Sequence, residues 1–300
     1  MEITTEMIKN LRELTGAGIL ECKKVLQDND GDFEKAADTL RKQGLAVVAK
    51  KAERETKEGL VIVKTAPDAV CAVALACETD FVARTPDFRA FAHRLADQVL
   101  ADSALTDATA MLAADFVDAP GKTVATVIQE MISKTGENIL LANVARYCPS
   151  AQSLVEGYIH VGAVEGYAPQ EGRVGVLVEL RVEDAAVRAS AAARDIAHDL
   201  ALQIAALKPA YATRADIPEA VLAEKRTELL EQARAANKPE AIIAKIIEGQ
   251  LGKFYQEICL DEQGFIREDE ATVAEWLRCK SEELGTQVSV ARFARLATGA

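Results

Sequence analysis

No apolar run in the sequence approaches the roughly 18 residues that a membrane-spanning helix requires, so no membrane partner is expected. Metal-binding and disulfide patterns are missing too. The six cysteines, at 22, 71, 77, 148, 259 and 279, include no Cys-x-x-Cys pair and stand near no histidine. That argues against zinc and against a secreted disulfide framework, and leaves reduced, mostly buried thiols as the expectation. Excess positive charge is absent as well. A formal net charge of -12 sits badly with nucleic-acid binding, whose affinity rests on Lys and Arg neutralising phosphates, so no direct nucleic-acid partner is expected. Residues 1–58 are nearly balanced, and the acidity belongs to the remainder. Lys23-Lys24, Arg41-Lys42 and Lys50-Lys51 read as solvated helix faces. Met1-Glu2-Ile3-Thr4-Thr5 leads into a helical pattern with no signal or transit character, which predicts a cytoplasmic protein.

The parts of an enzyme are also lacking. There is no Gly-x-x-x-x-Gly-Lys-Ser/Thr phosphate loop, no Gly-x-Gly-x-x-Gly after a strand and no His-Glu-x-x-His metal pair. Of the three histidines, His93 and His198 fall at corresponding positions of an internal repeat and read as scaffold, while His160 stands alone. No nucleophile with an oriented base can be assembled, so no catalytic residue, metal or cofactor is expected.

What is present is a 300-residue chain, 49% hydrophobic, with enough apolar material for two or three domains. Alternating strand and helix patterns predict an α+β fold. Residues 1–43 read as a minimal three-helix bundle. Its first helix places Met7, Ile8, Leu11 and Leu14 on one stripe and stops at Thr15-Gly16-Ala17-Gly18. The second takes Ile19, Cys22, Val25 and Leu26 inward, and Asp32 caps a third that buries Phe33, Ala36, Ala37 and Leu40. Residues 44–58 read as a linker, and 59–147 and 148–215 as the first subdomain and the first part of the second subdomain of a core. Within them, strands are expected at Leu60 to Lys64, Val70 to Cys77, Ile139 to Tyr147, Leu154 to Val161 and Val174 to Val182. Helices are expected at Phe88 to Ala101, around Leu105 to Phe116, at Val124 to Ser133 and at Ala185 to Leu207. Residues 216–258 read as an antiparallel helical hairpin broken at Asn237-Lys238-Pro239. One arm turns Leu222, Leu229, Leu230 and Ala233 inward, and the other carries Ile242, Ile243, Ile246, Ile247, Leu251, Phe254 and Ile258. Residues 259–300 complete the core and tail, with Trp276 on a helix and a strand-like end from Val288 to Phe293.

The chain is organised around Cys77-Glu78-Thr79-Asp80-Phe81-Val82-Ala83-Arg84. This octet is a turn that follows a buried strand and precedes Thr85-Pro86, where a threonine cap and a proline in the first helical turn start a helix. Phe81 can be a core residue with Asp80 as a local cap, or a wedge presented to a partner, since loops on rigid scaffolds carry recognition. An internal repeat moves the balance. A gap-free shift of 105 lays Val70 to Ala101 over Gly175 to Ala206, with identical pairs that include Val73/Val178, Leu75/Leu180, Glu78/Glu183, Val82/Val187, Arg89/Arg194, His93/His198 and Gln98/Gln203. At the turn the copies part, and Asp80-Phe81 faces Ala185-Ala186. A scaffold that manages without the pair in one copy favours recognition in the other.

Thr15-Gly16-Ala17-Gly18-Ile19, Cys22-Lys23-Lys24-Val25-Leu26, Gly31-Asp32 with Ala36-Ala37, and above all Thr79-Asp80-Phe81-Val82-Ala83, resemble the bacterial translation elongation factor Ts family. The resemblance continues through Gly136-Glu137-Asn138-Ile139, Gly175-Val176-Leu177-Val178 and Glu248-Gly249. It implies a ubiquitin-associated-like start that docks on a GTPase domain, two related α+β core subdomains and a protruding coiled coil. It implies a nucleotide-exchange factor that binds the GTPase elongation factor Tu in its GDP-bound and nucleotide-free forms and accelerates GDP release. It further implies that Asp80 and Phe81, flanked by Thr79 and Val82, intrude near the GTPase's magnesium site. A homodimer or a 2:2 assembly with the GTPase stays open. The alternative is a protein-binding adaptor without exchange activity, built on the three-helix domain, which leaves Thr79 to Arg84 without a role.

Overall fold

The computed structural model describes residues 3–15, 17–162, 166–236 and 239–299. Two expected breaks, at Gly16 and at Asn237-Lys238, lie outside the described residues. Thr5–Thr15 (α1), Ile19–Asp28 (α2) and Phe33–Lys51 (α3) close on Leu11, Cys22, Val25, Leu26, Ala36, Ala37 and Leu40. The turn before α3 uses left-handed Asp30 and Gly31, and Asp32 caps the helix by accepting the Lys35 N–H at 3.1 Å. Two expectations fail here. The third helix carries on to Lys51, through the first half of the segment read as linker. Gly44 alone costs a helix only about 1 kcal/mol, and the residues that follow it are mostly good helix formers. Leu14 and Ile19, expected inward, are instead about half exposed beside an 83% exposed Leu20.

The core follows in two halves of one pattern. The first comprises Glu58–Ala66 (β1), Ala69–Cys77 (β2), Asp80–Ala83 (α4), Pro86–Ala101 (α5), Ala108–Ala113 (α6), Val124–Thr135 (α7) and Ile139–Tyr147 (β3). The second begins with Ser153–His160 (β4), a two-residue strand Glu171–Gly172 (β5), Val174–Val182 (β6), Ala185–Arg188 (α8) and Ala191–Leu207 (α9). A helical hairpin, Glu219–Ala235 (α10) and Glu240–Ile258 (α11), then precedes Gly264–Phe265 (β7), Glu268–Thr272 (β8), Val273–Leu284 (α12) and Val288–Ala297 (β9). The sequence predicted one helix over Ala185 to Leu207, and the structure divides it. Ser190 ends the first turn by donating to Val187 O at 2.6 Å and opens α9 by accepting the Ala193 N–H at 3.2 Å. Ile242, expected inside the hairpin, is 45% exposed, whereas Ile243, Leu251, Leu229 and Ala233 are buried.

Strand order is β3-β2-β1-β5 in one antiparallel sheet and β4-β6-β9 in the other. The repeat reaches into the irregularities. A bulge interrupts β2/β3 pairing between Ala74 and Leu75, and another interrupts β6/β9 pairing between Glu179 and Leu180, 105 residues on. Each sheet has helices on its outer face. Leu60, Ile62, Val73 and Leu75 meet Phe88, Phe91 and Leu95 of α5, and Val176, Val178 and Leu180 meet Ile196, Leu200 and Ile204 of α9. Their inner faces meet each other through Val61, Val63, Val70, Ala72 and Ala74 against Leu177 and Leu296. With both faces covered, β2 is buried along its whole length, which is why it reads as an unbroken apolar run. Trp276 lies on α12 as expected, stacked on Phe265 at 4.2 Å.

Two glycines set the spacing between the sheets. A Cβ on Gly157 would lie 2.7 Å from Val70 Cγ1, and one on Gly175 would lie 2.7 Å from Val61 Cγ1 and 2.8 Å from Val63 Cγ2. Valine side chains are stiff at χ1, so neither neighbour can turn aside without strain. Gly175→Ala is therefore expected to lower stability by about 1–3 kcal/mol, the ordinary range for overpacking. Urea unfolding of the full chain measures it.

Candidate functional site

The tip of the first half is a single helical turn held at both ends by threonines. Thr79 leaves β2 in an extended conformation, φ -125° and ψ 155°, and its Oγ1 accepts the Val82 N–H at 3.4 Å. Thr85 closes the turn by donating to Val82 O at 2.8 Å, and starts α5 by accepting the Phe88 N–H at 3.3 Å with Pro86 in the first helical turn. The octet expected as a turn thus contains one turn of helix. Val82 and Ala83 face the core and are buried, which aims the preceding residue the other way. Phe81 is 81% exposed. Asp80 is half exposed and pairs with Arg84 one turn on at 3.4 Å, a contact that orients the two side chains more than it stabilises the fold.

The four residues singled out from sequence therefore share one turn in three different settings. Phe81 and Asp80 are presented to solvent, Thr79 is the half-buried cap, and Val82 is the anchor beneath. Glu137, Asn138 and Arg54 also meet this turn, and the sequence reading gave them no part in it. Glu137 Oε2 accepts the Thr79 N–H at 3.0 Å and its Oε1 accepts the Thr79 hydroxyl at 2.6 Å. Asn138 donates its N–H to Glu78 Oε1 at 2.6 Å and its amide to Arg54 O at 2.9 Å. Cys77 Sγ donates to Thr79 O at 3.2 Å. Burial, reinforced by the Glu137 carboxylate, pushes that thiol up to about 12, so it keeps its proton and remains a donor at neutral pH. Behind the tip, Glu58, Asp80, Ala83, Arg84, Tyr167 and Arg173 line a cavity of about 130 Å³, with Arg173 bonded to Glu58.

The second half repeats this geometry without the ring. Asp184 caps Ala185–Arg188 by accepting the Ala186 and Val187 N–H groups at 2.8 and 2.9 Å, and Ser190 takes the place of Thr85. Where Asp80 and Phe81 stand, the turn has Ala185 and Ala186. His93, read as scaffold, bonds Glu171 Oε1 through Nε2 at 2.8 Å, and His198 lies 3.8 Å from Glu156. Among the described residues, Cys259, Asp261 and Glu262 bring potential metal-ligand atoms within 4.8 Å of one another. Arg214 already bonds both oxygens of Glu262, and burial, with Asp261 and Glu262 adding to it, raises the Cys259 thiol to about 11. Burial also raises the Asp261 carboxyl, one oxygen of which is buried without a hydrogen-bond partner among the described residues. No described helix is long and apolar enough to cross a membrane. Cys22, Cys71, Cys77 and Cys259 are buried, while Cys148 and Cys279 are exposed.

A family profile described as Elongation factor TS matches residues 78–300, from the base of this tip through the second half of the core. The chain belongs to the elongation factor Ts family. An elongation factor Ts from Aquifex aeolicus is 41% identical, covering 100% of this chain and 99% of its own length. Those from Rhodospirillum rubrum and Clostridium novyi are 38% and 37% identical, each over 99% of this chain and 93% of their own length. A second profile, a UBA-like domain, matches residues 4–43. This chain thus joins the three helices typical of ubiquitin-associated domains to an elongation factor Ts core of mixed helix and sheet.

Proposed function

We propose that this member of the elongation factor Ts family is a guanine-nucleotide exchange factor for elongation factor Tu, acting in the cytoplasm, and that Phe81 is the part that loosens the bound GDP. The observation that carries the reading is an 81% exposed phenylalanine on a doubly capped turn whose twin in the other half of the core has alanine. A large ring held in water on a rigid support is poised for burial elsewhere. In the partner GTPase, Mg²⁺ bridges nucleotide phosphates and demands near-ideal octahedral geometry, so a ring and a carboxylate pushed against its surroundings disturb the ligands that hold GDP. No bond is made or broken on this chain.

Coupling of this kind is reciprocal. A factor that weakens GDP is itself weakened by GDP, so it binds the GDP-loaded and the nucleotide-free GTPase and leaves as nucleotide returns. Burying the Phe81 ring is worth roughly 1.5–3 kcal/mol, one to two orders of magnitude in an equilibrium constant, so the remaining affinity comes from other surfaces. The exposed Leu14, Ile19 and Leu20 on residues 1–43 supply one, as a docking face on the GTPase domain.

That same apolar face also suits a protein-binding adaptor without exchange activity, and one experiment separates the two. Mixed with elongation factor Tu carrying fluorescent GDP, the chain is expected to accelerate GDP release, and its complex with the nucleotide-free GTPase is expected to dissociate on adding GDP. Stable binding that GDP neither weakens nor is weakened by would support the adaptor.

A further inference from the structure

The sequence Gly136-Glu137-Asn138 has no part in the reading above, yet it lies directly under the tip. Gly136 ends α7 in the left-handed conformation, φ 78°, and turns the chain so that the next residue reaches across to the end of β2. There Glu137 takes both hydrogens that Thr79 offers, the backbone N–H at 3.0 Å and the hydroxyl at 2.6 Å. Committing the hydroxyl proton to Glu137 leaves the Thr79 oxygen free to accept the Val82 N–H, so the carboxylate sets the cap that opens the turn of Phe81. Asn138, almost fully buried, extends the tie. Its N–H holds Glu78, its amide holds the Arg54 carbonyl, and Arg54 Nη1 lies 3.5 Å from the same Glu78 oxygen.

The second half shows what the fold needs by itself. Gly285, also left-handed, ends α12 as Gly136 ends α7, but Thr286-Gln287 follow it in place of Glu137-Asn138. Thr286 N–H turns back to Ser281 O at 3.2 Å, and Asp184 caps its turn with its own carboxylate. Arg188, at the end of the turn itself, donates to Val182 O at 2.8 Å and Glu183 O at 3.3 Å. Among the described residues, a strand, a capped turn and a helix are thus built there with no hydrogen bond to the turn from the residues after Gly285. The Glu137 brace is found on the half that carries the exposed ring.

We infer that Glu137 is a positioning residue for nucleotide exchange, acting through Thr79 to hold the Phe81 tip in its docking geometry. This rests on the reading of Phe81 as the exchanging element. A tip fixed before contact loses less freedom on docking, and an ångström of misplacement is costly where partner groups must be displaced. Asn138 and Arg54 tie the same tip to the segment that joins residues 1–43 to the core.

The test is a cycle of full-length variants assayed by stopped-flow release of fluorescent GDP from elongation factor Tu, with thermal melting alongside. Glu137→Ala is expected to slow release at saturating factor roughly tenfold, the worth of two hydrogen bonds at a half-buried site, with little change in the concentration giving half the effect. Glu137→Gln keeps an acceptor for the hydroxyl and sets an amide against the Thr79 N–H, so it falls between; it also serves if the alanine variant folds poorly. In a Phe81→Ala background, Glu137→Ala is expected to add nothing. A slow Phe81→Ala beside wild-type rates in both Glu137 variants overturns this inference alone. So does a further loss when Glu137→Ala is added to Phe81→Ala. Normal exchange by Phe81→Ala overturns the reading of the tip itself and this inference with it.

Discussion

Phe81→Ala is expected to melt with the wild-type protein while accelerating GDP release from elongation factor Tu roughly ten- to a hundredfold less well. Both halves of the expectation come from the same exposure. A ring 81% in water has few contacts with its own body to lose, and surface changes of that kind usually stay within about 0.5 kcal/mol of stability. The supports of the turn do not involve the ring, for Thr79, Thr85, Val82 and Ala83 hold it from below. What is lost is apolar surface that would be buried only against a partner. Reciprocity adds a second signature, since a ring that weakens GDP is a ring whose burial GDP opposes. The alanine variant should therefore discriminate less between nucleotide-free and GDP-bound elongation factor Tu, by the same factor as its loss of coupling. Stopped-flow release and titrations against both forms of the GTPase measure the two effects. A variant that melts early would return Phe81 to the core, and one that exchanges at the wild-type rate would remove it from the mechanism.

How much of this could be read in advance depended on whether the signal was local. The strands Ile139–Tyr147 and Val174–Val182 lie where their apolar patterns put them, and the gap-free repeat matches two turns and two long helices residue for residue. Periodicity marks an apolar face but not whether anything covers it, which is why Leu14 and Ile19 read as inward and are partly exposed. An alanine-rich stretch from Ala185 hid the break at Ser190, because high helix propensity on both sides of a cap resembles one helix. The signal was there unused, for Ser190 falls where the first copy has the helix-capping Thr85. Phe81 could be picked out because its twin lacks it. Glu137 could not, since 58 residues separate it from Thr79 and only the folded sheet brings them together. Glu171 was hidden for a different reason: a carboxylate in a Gly- and Pro-bearing loop reads as solvated.

Glu171 is in fact 2% exposed, and replacing it is expected to cause the largest loss of stability of any single change described for this chain. From β5, at the edge of the first sheet, it accepts Arg89 Nε at 3.1 Å and a second bond from the same guanidinium, contacts His93 Nε2 at 2.8 Å and accepts the Ala168 N–H at 2.8 Å. Removing one member of such a cluster leaves the others desolvated and unpaired, at a cost of about 3–5 kcal/mol. Arg89 and His93 keep some contact with water, which points to the lower end of that range. Glu171→Gln should accordingly unfold at clearly lower urea concentration at pH 7. The pH dependence gives an independent check. Burial alone would raise the Glu171 carboxyl, but the Arg89 guanidinium, the Ala168 N–H and His93 outweigh it and hold it below the ordinary glutamate range, with Tyr167 also nearby. A carboxyl whose value is depressed on folding contributes stability that is complete above its unfolded value, near about 4.3, and disappears as pH falls through the folded one. The wild-type protein should lose this contribution across that acidic window, and Glu171→Gln should not, so the gap between them narrows as the pH is lowered. Equal urea midpoints at pH 7, or a gap that stays constant down to pH values well below 4, would mean that Arg89 and His93 gain nothing from this carboxylate beyond what water offers them.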